Sequence, residues 1–183
     1  MNRNERRRQR ASVLGRFASH PTAKRLLANY QRYGREAAEI YIQTDDGSGI
    51  PRYFDVFSAK LWCAKHKRIE ALEIDQRLVK ELCSNGAIDL EHLKSKRFDE
   101  DVAPIIFLLE ATIAGGLLLD GAHRYVAFAE KVQELEIAEF IRKVPAYVLE
   151  PKDWKKFVVP PLVAEAFQFP AQARSVLTQG AGI

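Results

Sequence analysis

A carboxylate, a glycine, an imidazole and a guanidinium fall within five consecutive positions, Asp120-Gly121-Ala122-His123-Arg124. That order suits the binding of an anion. Before it runs the apolar stretch Leu117-Leu118-Leu119. After it, Ala122, Val126, Ala129, Val132 and Leu135 recur at helical spacing. Gly121 therefore falls where a strand hands over to a helix. The first N–H groups of a helix have no partner inside it and lie at the positive end of its dipole. Gly121 lets a ligand come close to the backbone. Arg124 offers a bidentate phosphate donor, and His123 offers a second polar donor or a proton carrier. Gly121, Ala122, His123 and Arg124 are thus the candidate phosphate cradle. Asp120, at the strand end, is the candidate to hold a metal ion or to orient a hydroxyl. A plainer role fits the same residues: Asp120 caps the helix, while His123 and Arg124 make surface pairs. Glu110, after the apolar run Pro104–Leu109, is a second candidate carboxylate, and it fits equally the first exposed residue of a hairpin.

The elements that must position these residues are legible in outline. From Thr22, Ala23, Leu26, Leu27, Tyr30, Ala37, Ala38 and Tyr41 recur at a helical period, with Lys24, Arg25, Arg32, Arg35 and Glu39 facing away. Gly34 makes this two helices or one bent one. Residues 45–49 form a loop, and Tyr53–Trp62 carry a strand-like mix. Lys65-His66-Lys67-Arg68 is a basic cluster, followed by a short strand over Ile69–Ile74. Asp75 has the chemistry of a helix N-cap, and Asn85-Gly86 ends that helix. Asp89 caps a further short helix through Lys96. Pro104–Leu109 and Leu117–Leu119 form a buried hairpin turned by Ala111–Gly116. Val144–Leu149 is a strand, Leu162–Phe167 a short helix, and the rest a loose tail. Trp62 and Trp154 read as packing residues, His66 as a surface residue, and Tyr125 as either a core residue or a neighbour of a bound base.

Charge is unevenly spread. Residues 1–35 hold ten Lys/Arg against one acid, Glu5, a net +9, while the remaining 148 residues hold 18 Lys/Arg against 23 Asp/Glu. A basic arm on a mildly acidic body is the asymmetry of a nucleic-acid contact. Arg6, Arg7 and Arg8, with Lys65, Lys67 and Arg68, are the candidate DNA-binding residues. A solubilising tail and a mitochondrial presequence are other readings of the same arginines. The 183 residues, 47% hydrophobic and 28% charged, exclude a disordered or collagen-like chain. No uncharged apolar run approaches the length of a membrane span. Cys63 and Cys83, with nineteen residues between them, match no zinc template. The expectation is a cytoplasmic protein with no membrane span.

The run Leu119-Asp120-Gly121-Ala122-His123-Arg124-Tyr125-Val126-Ala127, with Val144-Pro145-Ala146-Tyr147-Val148 about twenty residues on, resembles the ParB/sulfiredoxin-like superfamily. The likeness spans roughly residues 53–150. It implies an α+β fold, a small mixed sheet flanked by helices, whose Asp-Gly-x-His-Arg loop holds nucleotide phosphates. The expected organisation is a basic helical extension over 1–50, the ParB/sulfiredoxin-like domain over 51–150, and a C-terminal helix and tail over 151–183. Departures narrow the function. Ala122 stands where sulfiredoxins carry their catalytic cysteine, which speaks against sulfinic-acid reduction. Only 34 residues follow Leu149, too few for the helix-turn-helix and dimerisation regions of partition proteins. The Gly-Glu-Arg-Arg form of their nucleotide loop is also missing.

The chain looks most like the plasmid-encoded fertility-inhibition proteins of the Osa type. That resemblance implies ATP and Mg2+ as cofactors, ATPase and DNase activity, and inhibition of conjugative or type IV secretion DNA transfer through a component of that machinery. Asp120, His123, Arg124 and Glu110 are then the catalytic candidates, with Asp120 on the metal. A non-enzymatic DNA- or partner-binding module and a small-metabolite kinase are the alternatives.

Overall fold

The computed structural model describes residues 20–43, 50–84, 88, 103–112, 115–134, 143–165 and 167. Arg6, Arg7 and Arg8, the helix expected from Asp89 to Lys96, the loop at 45–49 and the tail from 168 on lie outside the described residues. The protein is α+β, with two small sheets flanked by helices. The described residues divide into two compact units, one of those up to Leu61 and from Lys155 on, the other of those within Trp62–Trp154.

In the first unit, helix α1 (Pro21–Tyr33) begins with a proline in its first turn, where a missing N–H costs nothing. The His20 side chain accepts a hydrogen bond from the Thr22 amide at 3.2 Å. Gly34, at φ 90°, ends the helix and leads into a 3-10 turn, Arg35–Ala38. Strands β1 (Ile40–Gln43) and β2 (Arg52–Asp55) pair antiparallel, Ile40 opposite Asp55 and Gln43 opposite Arg52.

The strand-like mix over Tyr53–Trp62 stops at Asp55. Helix α2 (Val56–His66) starts there, because the buried Asp55 carboxylate accepts the Ser58 amide at 2.9 Å and caps it. Ala23 and Leu26 of α1 pack against Val159, Val163 and Ala164, with Ile40 and Tyr53 at the margin. The segment after Pro151 is therefore more than a tail. The Val159 amide donates to the Tyr53 carbonyl at 2.8 Å, Val158 bridges Phe54, and residues 161–165 are helical.

The second unit holds β3 (Glu70–Glu73), α3 (Gln76–Ser84), β4 (Ile105–Leu109), β5 (Gly116–Asp120), α4 (Ala122–Glu134), β6 (Lys143–Leu149) and the short α5 (Pro151–Trp154). Its sheet runs β3-β6-β4-β5. The β4–β6 pair is parallel and the other two are antiparallel, so the sheet is mixed. The expected hairpin is present as β4–β5, and α4 follows the edge strand β5 in the chain. Ile105, Leu118, Tyr125, Val144 and Ala146 form the core, with Leu72, Leu78 and Phe107 around them. Trp154 is buried, and its indole N–H donates to the Leu109 carbonyl at 2.8 Å.

Asp75 caps α3 as expected. Its carboxylate accepts the Arg77 amide at 2.8 Å, and that hydrogen bond holds the acid below the usual range. Tyr125 is a core residue whose hydroxyl accepts the Asp75 amide at 2.6 Å, and burial raises its phenol pKa. Tyr125→Phe would leave that amide without an acceptor. The expected loss is about 1–2 kcal/mol of unfolding free energy in a urea titration. An unchanged midpoint would show that water replaces the phenol at no cost.

Candidate functional site

Asp120 is the last residue of β5 and pairs with Ile106 across the hairpin. Gly121 follows at φ 94°, a conformation that a side chain rarely adopts. That turn breaks the strand and lets α4 begin at Ala122. The Tyr125 amide donates to the Gly121 carbonyl at 2.8 Å, the first hydrogen bond of the helix. Ala122, His123 and Arg124 thus occupy the first turn, whose amides have no carbonyl one turn earlier within the helix.

The Arg124 side chain folds back over this joint. One guanidinium nitrogen, Nη2, lies 2.6 Å from Asp120 Oδ2, and Nη1 donates to the Ala103 carbonyl at 2.7 Å. Both side chains of the ion pair are about a fifth exposed, at 23% and 19%. The missing Cβ of Gly121 makes room for this arrangement. A Cβ placed there would stand 2.7 Å from Ile105 Cγ2 and 2.9 Å from Arg124 Nη2. The sequence-selected Asp120, Gly121, Ala122, His123 and Arg124 are therefore gathered at one strand-to-helix corner. The guanidinium lies over it as a positive lid whose present counter-charge is Asp120. Asp120 and His123 each make further interactions.

A phosphate brought to this corner would meet two groups that favour it, the first-turn amides and the guanidinium, and one that does not, the Asp120 carboxylate. It would have to draw Arg124 from carboxylate to phosphate, or add a second anion to its remaining face.

Glu110 is not part of this corner. It sits past Leu109, which pairs with Gly116, whereas Asp120 is level with Ile106. Four strand positions separate them, about 13 Å along the hairpin. Glu110 is exposed at φ 53° in the turn, so the register does not let the two carboxylates share an ion. Among the described residues no group of three or more His, Cys, Asp or Glu side chains is placed to hold a metal.

The basic cluster is likewise divided. Lys67 Nζ pairs with Asp153 Oδ2 at 2.8 Å, and that ammonium is spent inside the unit. Lys65 and Arg68 are exposed, and Lys65 lies in the last turn of α2, where a cation also suits the helix dipole. His66 stacks beside Trp62, with ring centroids 5.1 Å apart. One participant at the corner left no trace in residue type. The Ala103 carbonyl is backbone, and only coordinates reveal it as the guanidinium's second acceptor.

Neither cysteine stands in the Asp120–Arg124 run. Cys63 is fully buried, and burial pushes its thiol up to about 11, with Lys67 lowering and Asp153 raising it less. Cys83 is exposed. A disulfide reagent at pH 8 is expected to modify Cys83 quickly and Cys63 only after denaturant is added. Rapid modification of both thiols in the native protein would contradict this burial. Comparison of the chain with protein-family models, with curated proteins and with solved structures finds no match.

Proposed function

We propose that the chain binds a nucleoside triphosphate at Gly121–Arg124 and uses it in an action on DNA, as an ATPase and DNase that restrains conjugative or type IV secretion DNA transfer in the cytoplasm. One observation carries the nucleotide part. A positive-φ glycine joins a strand to a helix N-terminus with a guanidinium lying across it. The likeness of the Asp-Gly-x-His-Arg run to the ParB/sulfiredoxin-like superfamily supplies the rest.

In this reading the first-turn amides and Arg124 take the phosphate oxygens. Arg124 leaves Asp120 as it does so, and the freed carboxylate stands at the strand end to orient a water or accept its proton. Mg2+ carried by the nucleotide would supply charge neutralisation at the phosphates, and Asp120 would be the carboxylate placed to hold it. His123 is a further donor on the same turn. Glu110 has no role in it.

A second reading is favoured by a specific observation. Arg124 already has two good acceptors in Asp120 and Ala103. A corner satisfied in this way also fits a binding module that holds DNA or a protein partner without turnover.

Calorimetric titration of ATP with Mg2+ tests the nucleotide site. The wild-type chain should bind, and Arg124→Ala should bind at least tenfold more weakly, because a hydrogen bond to a charged group contributes about 1.5–3 kcal/mol. Arg124→Lys should recover only part, since it restores the charge without the fork. Equal affinity in wild type and Arg124→Ala would remove the proposal. Hydrolysis that Asp120→Ala leaves unchanged would favour the module.

A further inference from the structure

The stretch Arg6–Arg35 contains nine Lys/Arg and no Asp or Glu in 30 residues. Its described part is mainly α1. That helix turns Ala23 and Leu26 into the core yet leaves Tyr30 52% and Tyr33 47% exposed. Three residues apart on a helix, the two tyrosines are surface neighbours, with Cβ atoms about 5–6 Å apart. The Arg32 guanidinium lies over the Tyr33 ring, 5.1 Å from its centroid, and Tyr33 also leans on Phe57 with centroids 5.0 Å apart. Lys24, Arg32 and Arg35 are exposed and make no ion pair among the described residues.

Single exposed aromatics are ordinary. Two adjacent ones set among unpaired cations, in a stretch without acids, form a surface with both aromatic faces and positive charge. A polyanion that carries flat rings complements both. A duplex buries its ring faces in its own stack, whereas a single strand presents them. An anionic membrane is the poorer fit, because of the two leucines of α1 Leu26 is fully buried in the core and Leu27 alone, 39% exposed, is left for an interfacial helix to insert. We propose that the surface of α1 and the 3-10 turn after it, bearing Tyr30, Arg32, Tyr33 and Arg35, binds single-stranded nucleic acid, with bases stacked on the tyrosines and phosphates on the arginines. The inference rests on the nucleic-acid part of the reading above and deepens it by naming the form of the strand and the surface that takes it.

The test is fluorescence anisotropy of a labelled oligothymidylate, and of a duplex of the same length, with the full chain. The single strand should bind more tightly. Tyr30→Ala should weaken it by about 5- to 50-fold and Tyr30→Phe should restore it, because stacking needs the ring and not the hydroxyl. Tyr33→Leu keeps an apolar contact for Phe57 and should weaken binding similarly. Arg35→Gln should reduce the slope of log affinity against log salt by about 0.7. ATP affinity should be unchanged in every one of these variants.

Binding by the wild-type chain that the tyrosine variants leave intact, or that is as tight for the duplex, overturns this inference alone. Failure of the wild-type chain to bind either oligonucleotide, with or without binding to phosphatidylserine vesicles, overturns the nucleic-acid reading and this inference together. Failure to bind ATP overturns the nucleotide site and leaves the strand surface standing.

Discussion

Replacing Asp55 by alanine is expected to destabilise the protein by about 3–4 kcal/mol, a large share of the roughly 5–15 kcal/mol that a domain possesses. The carboxylate is fully buried and answers two donors at once. Arg25 Nε lies 2.8 Å from Oδ2, and the Ser58 amide donates to Oδ1 at 2.9 Å. The first contact neutralises a charge that water cannot reach. The second caps α2, a role that contributes about 1 kcal/mol by itself. Alanine removes both. It leaves the Arg25 guanidinium with the Lys156 carbonyl at 3.1 Å, while Nη2 is already buried without a partner. The Arg25 side chain is a third exposed, so water offsets part of the loss and the figure stays below that for a fully buried pair. Asp55→Asn keeps an acceptor for the cap and should cost less than alanine. The check is a urea denaturation series with the slope compared between variants. A shift below about 1 kcal/mol for Asp55→Ala would mean that the pair contributes little beyond its desolvation cost.

How the sequence hid this pair is instructive. Helical periodicity placed Arg25 on the outward face of α1, and periodicity gives an angle, not a partner. The side chain is long enough to reach Asp55 from the edge of that face. Asp55 itself was masked by Phe54, Val56 and Phe57, an aromatic and β-branched run that reads as strand. The cap ended the strand after Asp55, a case of one polar contact outweighing local propensity. Signals that depend on a single residue's own backbone demands fared better. Gly34 stops α1, Asp75 caps α3, and Gly121 sits at the strand-to-helix joint. The hairpin was legible from two apolar runs around a glycine-rich turn. Its register was not, and register is what separates Glu110 from Asp120. Lys67 looked like one more cation in a basic cluster until Asp153, distant in sequence, came to meet it. The return of Val158 and Val159 onto β2 was equally invisible, because the Pro160-Pro161 pair suggests an end of structure and says nothing about what precedes it.

Gly121→Ala is the second large effect, and a neighbouring glycine supplies its control. Gly121 and Gly115 have nearly the same backbone angle, φ 94° and 95°. A side chain at either one meets the same kind of backbone strain, about 1–2 kcal/mol. Their surroundings differ. Among the described residues nothing lies within 4 Å of a Cβ at Gly115, whereas at Gly121 Ile105 Cγ2 would be at 2.7 Å and Arg124 Nη2 at 2.9 Å. Ile105 is fully buried in β4 and cannot step aside without disturbing the core. Arg124 can swing away, but only by giving up Asp120. Gly115→Ala should therefore lose about 1–2 kcal/mol, and Gly121→Ala about 2–4 kcal/mol, the excess measuring the packed corner. The same alanine would displace the guanidinium from the loop, so ATP affinity should fall in Gly121→Ala and hold in Gly115→Ala. Equal losses of stability at the two glycines would show that Arg124 does not rest against the loop, and the argument for a phosphate corner would lose its geometric basis.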